Sequence, residues 1–196
     1  MKRMWCGLAL WLAMTAVHAA GTAATQVQVQ GPADKDIPAW TLQTLLPDGW
    51  TQDCCLYAKA IGVNLVLYKG EWTGDPERVM VLNIWTSKLS SLEAELQDDR
   101  HRYLNRDPGG KVDAFALDNH GLPCRGVLYQ GTDHKDDVVV FCDPGLASGI
   151  RLSWSMTLAH DDPERGALLA LFRGVAEQTT YAVTRSARDI GVKTRR

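Results

Sequence analysis

The sequence predicts an α+β domain: a mainly antiparallel sheet of five to six strands, two helices packed on it, and disulfide bonds holding it. Three observations lead there. Apolar and polar residues alternate in several short runs, most plainly in Ile150-Arg151-Leu152-Ser153-Trp154-Ser155-Met156-Thr157-Leu158, and a period of two marks a strand with one buried face. Two other segments, opening at Ser90-Ser91-Leu92-Glu93 and at Asp161-Asp162-Pro163-Glu164, carry helix-start chemistry followed by apolar residues at helical spacing. Four cysteines, Cys54, Cys55, Cys124 and Cys142, remain once an N-terminal leader is set aside, and an even count in an exported chain favours disulfides over free thiols or metal.

The leader is residues 1–19. Met1-Lys2-Arg3 is cationic, Trp5 to Val17 is almost wholly apolar, and Val17-His18-Ala19 has the residues a signal peptidase reads. The apolar run is too short for the roughly 20 residues a membrane-crossing helix needs. A cleaved leader is therefore expected, with no transmembrane anchor afterwards, and Cys6 leaves with it. Removing Lys2 and Arg3 leaves 19 basic against 23 acidic side chains, a net charge of −4 in place of −2. Such a balance gives no general pull toward nucleic acid. Residues 20–36, small and polar at first, read as a flexible lead-in; residues 37–183 form the single domain. Residues 184–196, with Arg185, Arg188, Lys193, Arg195 and Arg196, form a basic tail.

Within the domain, Pro47-Asp48-Gly49-Trp50 is a turn, and Val63 to Tyr68 then alternates as a strand. Val79 to Trp85 is apolar at nearly every position, as expected of a central strand covered on both sides. Ser90 and Glu93 have the spacing of a capping box. Leu92, Leu96, Tyr103 and Leu104 mark the buried stripe of the helix that follows, and Asp107-Pro108-Gly109-Gly110 stops it. Strands are expected at Lys111–Leu117, Cys124–Gln130 and Val138–Cys142. The last two form a hairpin about a polar tip near Asp133, which sets Leu128 opposite Val138 and Cys124 opposite Cys142. After the long strand from Ile150, whose polar face is expected to be wet or lightly covered, Pro163 opens a closing helix with Leu168, Leu171, Phe172 and Val175 on one stripe.

This order of elements, with Pro47 and Trp50 at the opening turn, the capped helix from Ser90 and the closing helix from Pro163, resembles the PsbP/Mog1/DcrB-like superfamily of α-β-α sandwiches. The resemblance covers residues 42 to 180. It implies a sandwich fold and admits an envelope accessory or lipid-interacting role.

Motifs for chemistry are absent. No serine sits in a strained Gly-x-Ser-x-Gly turn, Ser148 being a loop serine. His101, His120, His134 and His160 have no metal-ligand spacing, and His134 with Asp133, Asp136 and Asp137 reads as a hydrated turn. Catalytic and metal residues are therefore expected to be none, and cofactors none. Cys54-Cys55 lacks the two-residue spacer of thiol-disulfide enzymes and closes a strained ring if bonded. Two disulfide patterns stay open: Cys54 or Cys55 stapling the early strand to the hairpin, or Cys124 to Cys142 with Cys54 and Cys55 left apart. Trp85 and Trp154 read as packing residues. Trp72, beside Glu71 in the loop Gly70–Gly74, either covers the sheet end or anchors a protein partner. The functional expectation is an exported, non-enzymatic protein-binding module of the periplasm or outside, such as an inhibitor or immunity protein. The alternatives are the envelope accessory role and an enzyme whose residues meet only in the fold.

Overall fold

The computed structural model describes residues 25–33, 37–73, 76–145 and 148–183. The leader and the basic tail lie outside the described residues. Ten strands and three helices are present among the described ones: β1 (Thr25–Gly31), β2 (Trp40–Leu46), β3 (Trp50–Asp53), α1 (Tyr57–Ala60), β4 (Leu65–Lys69), β5 (Arg78–Thr86), α2 (Leu92–Arg106), β6 (Lys111–Ala116), β7 (Cys124–Gln130), β8 (Lys135–Cys142), β9 (Ile150–Ala159), α3 (Arg165–Glu177) and β10 (Thr180–Val183). Seven strands form one antiparallel sheet in the order β3-β4-β5-β9-β8-β7-β6, and three form a second, β1-β2-β10. The α+β class stands, with more strands than expected. Of the additional ones, β3 and β10 are only four residues long, β2 (seven residues) precedes the opening turn, and β1 is so rich in glutamine that part of the expected lead-in is in fact a paired strand.

Register divides the large sheet into two faces. On the inner face Leu65, Leu67, Met80, Leu82, Leu152, Trp154 and Val140 form the main core with Leu168, Phe172 and Val175 of α3 and with Val29, Trp40 and Leu42 of the small sheet. On the outer face Tyr103 of α2 stacks on Tyr129 of β7 at 4.4 Å between centroids, within a second cluster that includes Val127 and Phe141. The small sheet closes tightly at Gly31, where a Cβ would lie 2.2 Å from the Trp40 ring.

Polar groups tie the layers together. Trp154, fully buried in the central strand β9, donates its indole N–H to the Thr179 hydroxyl at 2.9 Å. That hydroxyl lies 2.7 Å from the Val175 carbonyl and 3.0 Å from the hydroxyl of Thr44 in β2. A buried donor without a partner costs about 1–3 kcal/mol, so the bond fixes where α3 ends against both sheets. Near the other end, the buried Asp136 accepts from Arg165 Nε at 2.6 Å and lies 3.0 Å from His160 Nδ1. Asp136 is thus a core carboxylate of β8, not a member of the hydrated tip, because α3 supplies a cation that the local sequence does not show.

Three further expectations are corrected. Ser91, in extended backbone, is the cap of α2 and accepts from Ala94 N at 3.1 Å. Glu93 then sits one residue short of the position a capping box needs and accepts from Gln97 instead. The polar face of β9 is covered in its first half: Arg151 is 1% exposed and paired to Asp143 at 3.0 Å, while Trp85 and Phe141 flank it on the neighbouring strands. Helix α3 begins at Arg165, with Asp162 accepting from Glu164 N at 2.8 Å in the turn before it.

The hairpin β7–β8 has the expected register, Leu128 opposite Val138 and Cys124 opposite Cys142, and the two cysteines are bonded. Cys54 and Cys55 are also bonded, to each other, and not left apart. Closing a loop of sequence separation 18, the Cys124–Cys142 bond removes conformations from the unfolded chain. Replacing both cysteines by serine should cost about 3 kcal/mol, read as a lower urea midpoint with a somewhat steeper slope because the unfolded chain expands; an unchanged midpoint would contradict it.

Candidate functional site

The outer face of the large sheet is covered at its two sides and open between them. Helix α2 lies over β7 and β8. The excursion from Asp53 to Asn64 folds over β4, burying Ala58 and Val66 completely. Between them β5 and β9 pair Val81 with Ser155, and a cleft of about 380 Å³ runs past Glu77, Val79, Val81, Ser155 and Thr157. Thr157 also donates to Asp137 on β8. Strands present alternate residues to one face, so this mixed floor is what the sequence of β5 and β9 dictates where, among the described residues, no helix covers it.

An aromatic cluster lies beside the cleft, reached across the pairing of β4 with β5. Tyr68, opposite Val79 across β4 and β5, meets the Trp72 ring edge-on at 5.3 Å, and Trp72 stacks on Tyr57 at 4.7 Å. Next to Tyr57 the chain exposes two large apolar side chains, Leu56 at 66% and Ile61 at 49%. Exposed aliphatic residues beside stacked rings make a local apolar patch with a polar rim, the composition of an interface centre.

The patch is held rigid by short-range chemistry. Asp53 Oδ1 accepts from the backbone N–H of Cys55 at 3.2 Å, Leu56 at 3.1 Å and Ala58 at 2.8 Å. Burial works against the charged carboxylate, yet these amides together hold its carboxyl below the usual range. The Cys54–Cys55 bond removes backbone freedom in the same turn. At the far end Gly62, at φ 77°, ends α1, with Val63 N donating to the Ala58 carbonyl at 2.9 Å, a Schellman closure. Asn64 then accepts from Ile84 N at 2.7 Å, pinning the excursion to β5.

Of the residues singled out in the sequence, Cys54, Cys55, Trp72 and Glu71 fall on this side of the molecule; Glu71 is exposed and Trp72 half-buried against Tyr57 and Tyr68. Cys124 and Cys142 lie in the core. Asp53, Leu56, Tyr57, Ile61 and Tyr68 were missed. The histidines do not converge: His160 faces Asp136, His120 lies 3.5 Å from Asp118, and His134 holds the hairpin tip at φ 63°. Ser148 turns its hydroxyl to the Gly145 carbonyl at 2.7 Å. Among the described residues no group of three His, Cys, Asp or Glu side chains is placed to hold a metal, and no helix is long and apolar enough to cross a membrane.

No family model matches the chain, and no curated protein matches its sequence. Solved structures do. The solution structure of cyanobacterial PsbP (CyanoP) from Synechocystis sp. PCC 6803 is similar at a TM-score of 0.50 and 17% identity, over 87% of this chain and 99% of that one. LpqN of Mycobacterium tuberculosis, involved in cell envelope biogenesis, is similar at a TM-score of 0.47 and 17% identity, over 80% and 91% of the two chains. At this identity the likeness to cyanobacterial PsbP is one of fold, and the PsbP-like fold expected from the order of elements is the fold of this chain.

Asp53 generates a test. A carboxyl lowered in the folded state contributes stability above its unfolded value of about 4 and loses it as pH falls through the folded value. Amides of residues 55–58 should therefore lose exchange protection in acid before the sheet does, and Asp53→Ala should lose it at neutral pH with β9 unaffected. Loss of protection in β9 at the same pH would contradict a local role.

Proposed function

We propose that this protein is an exported, non-enzymatic protein-binding module acting outside the cytoplasm, and that it receives its partner on the open strip of the outer sheet face and its aromatic rim. The observation that carries the reading is the exposed pair Leu56 and Ile61, set beside the Tyr57–Trp72 stack on a turn fixed by Asp53 and a disulfide. A backbone already held in one conformation gives up little entropy on association, so the fixed turn favours recognition. Two disulfides support an oxidising compartment, in agreement with the leader-like N-terminus.

The chemistry of the strip favours a protein over a small substrate. Its floor is shallow, mixes valine with serine and threonine, and presents no histidine or paired carboxylate aimed at a common point. An inhibitor or immunity protein is the form of this reading that the compact, stapled domain suits best: such a protein needs a rigid surface and no machinery of its own.

Trp72→Ala and Leu56→Asp are expected to weaken capture of the partner from an extracytoplasmic extract by about 30-fold or more each, the loss typical of a central anchor, with unchanged circular dichroism. Equal recovery by wild type and both variants would contradict this assignment of the surface.

A further inference from the structure

From the small sheet we infer that the protein self-associates through β1, two copies pairing antiparallel about Gln28 to join their three-stranded sheets into one of six. Sheet edges expose unpaired N–H and C=O groups, and proteins guard them with short strands, charges or proline. Three edges here are guarded. β3 and β10 are four residues long, and β6 carries Lys111 and Asp113. The edge formed by β1 is not. Its seven residues, Thr-Gln-Val-Gln-Val-Gln-Gly, hold no charge and no proline, and among the described residues only β2 pairs with it.

The strand is also complementary to itself. Val27 and Val29 are buried on the inner side, while Gln26, Gln28 and Gln30 are exposed. A two-fold axis at Gln28 places Val27 of one copy opposite Val29 of the other, Gln26 opposite Gln30, and Gln28 opposite itself. Apolar residues then meet apolar ones and amides meet amides, with no like charges opposed. Gln28 already bonds Gln43 on β2 at 3.0 Å, so the new pair extends an amide row that exists within one copy. A symmetric antiparallel pair is closed, which gives a dimer and not a fibre. One strand pair buries less than a standard interface of about 1,600 Å², so the dimer is weak and concentration-dependent.

Sedimentation velocity of the exported chain between roughly 10 and 500 µM should show the average mass rising toward two copies. Gln26→Lys, Gln28→Lys and Gln30→Lys together, all on the exposed side, should weaken association at least about tenfold, as should the matching triple change to Glu. An equimolar mixture of the two variants should recover the dimer, because the same three positions then carry opposite charges. In the wild type, amides of residues 25–31 should gain exchange protection as concentration rises. The inference is overturned if the wild type stays monomeric throughout, if either triple variant associates as the wild type does, if the mixture stays monomeric, or if protection at β1 is independent of concentration.

Discussion

The indole N–H of Trp154 is the bond on which the arrangement turns. It sits at the centre of β9, the middle strand of the large sheet, and its acceptor, the Thr179 hydroxyl, lies between the last turn of α3 and β10. Through Thr179 the same contact reaches Thr44 in β2. One hydrogen-bonded node thus sets the seven-stranded sheet, the closing helix and the small sheet relative to one another. The cost of leaving so large an aromatic donor unpaired in the core is what makes the node specific.

With the inner face closed in this way, the outer face is free to be uneven. Helix α2 shields one half through the Tyr103–Tyr129 stack, and the Asp53–Asn64 excursion shields the opposite margin. Neither contributes a residue to the lining of the strip at Val79 and Val81 of β5 and at Ser155 and Thr157 of β9. The candidate site is therefore the remainder left when two small covers rest on a wide sheet. Its apolar rim is built from local bonds, those of Asp53, Gly62 and the adjacent cysteines, that make no demand on the core.

Much of the fold was legible in the sequence. The polar tip between β7 and β8 set the register that places Cys124 against Cys142, and it sufficed because the pairing is local. Long-range pairing was less legible. β1 alternates as clearly as β9, yet its glutamines resemble a linker until β2 is placed beside it. The buried charges Asp136 and Arg151 look like solvent-face residues, since their partners come from other elements or from a turn. Trp72 could be singled out as an aromatic in a loop. Its stacking on Tyr57 could not, because the two are separated by a whole strand and meet only when α1 folds back. The Cys54–Cys55 bond was discounted on ring strain, a local argument that the turn held by Asp53 overrides.

A rigid node beneath a locally held rim makes a distinction that native-state hydrogen exchange can read directly. The Trp154 indole N–H and the amides of β9 should exchange only through global unfolding, with a denaturant dependence equal to that of the whole molecule, while amides of residues 55–61 should exchange through smaller openings nearly independent of denaturant. If the Trp154 indole exchanged by a local opening, or the 55–61 segment only with the whole molecule, the division between a fixed core and a separately held site would be wrong.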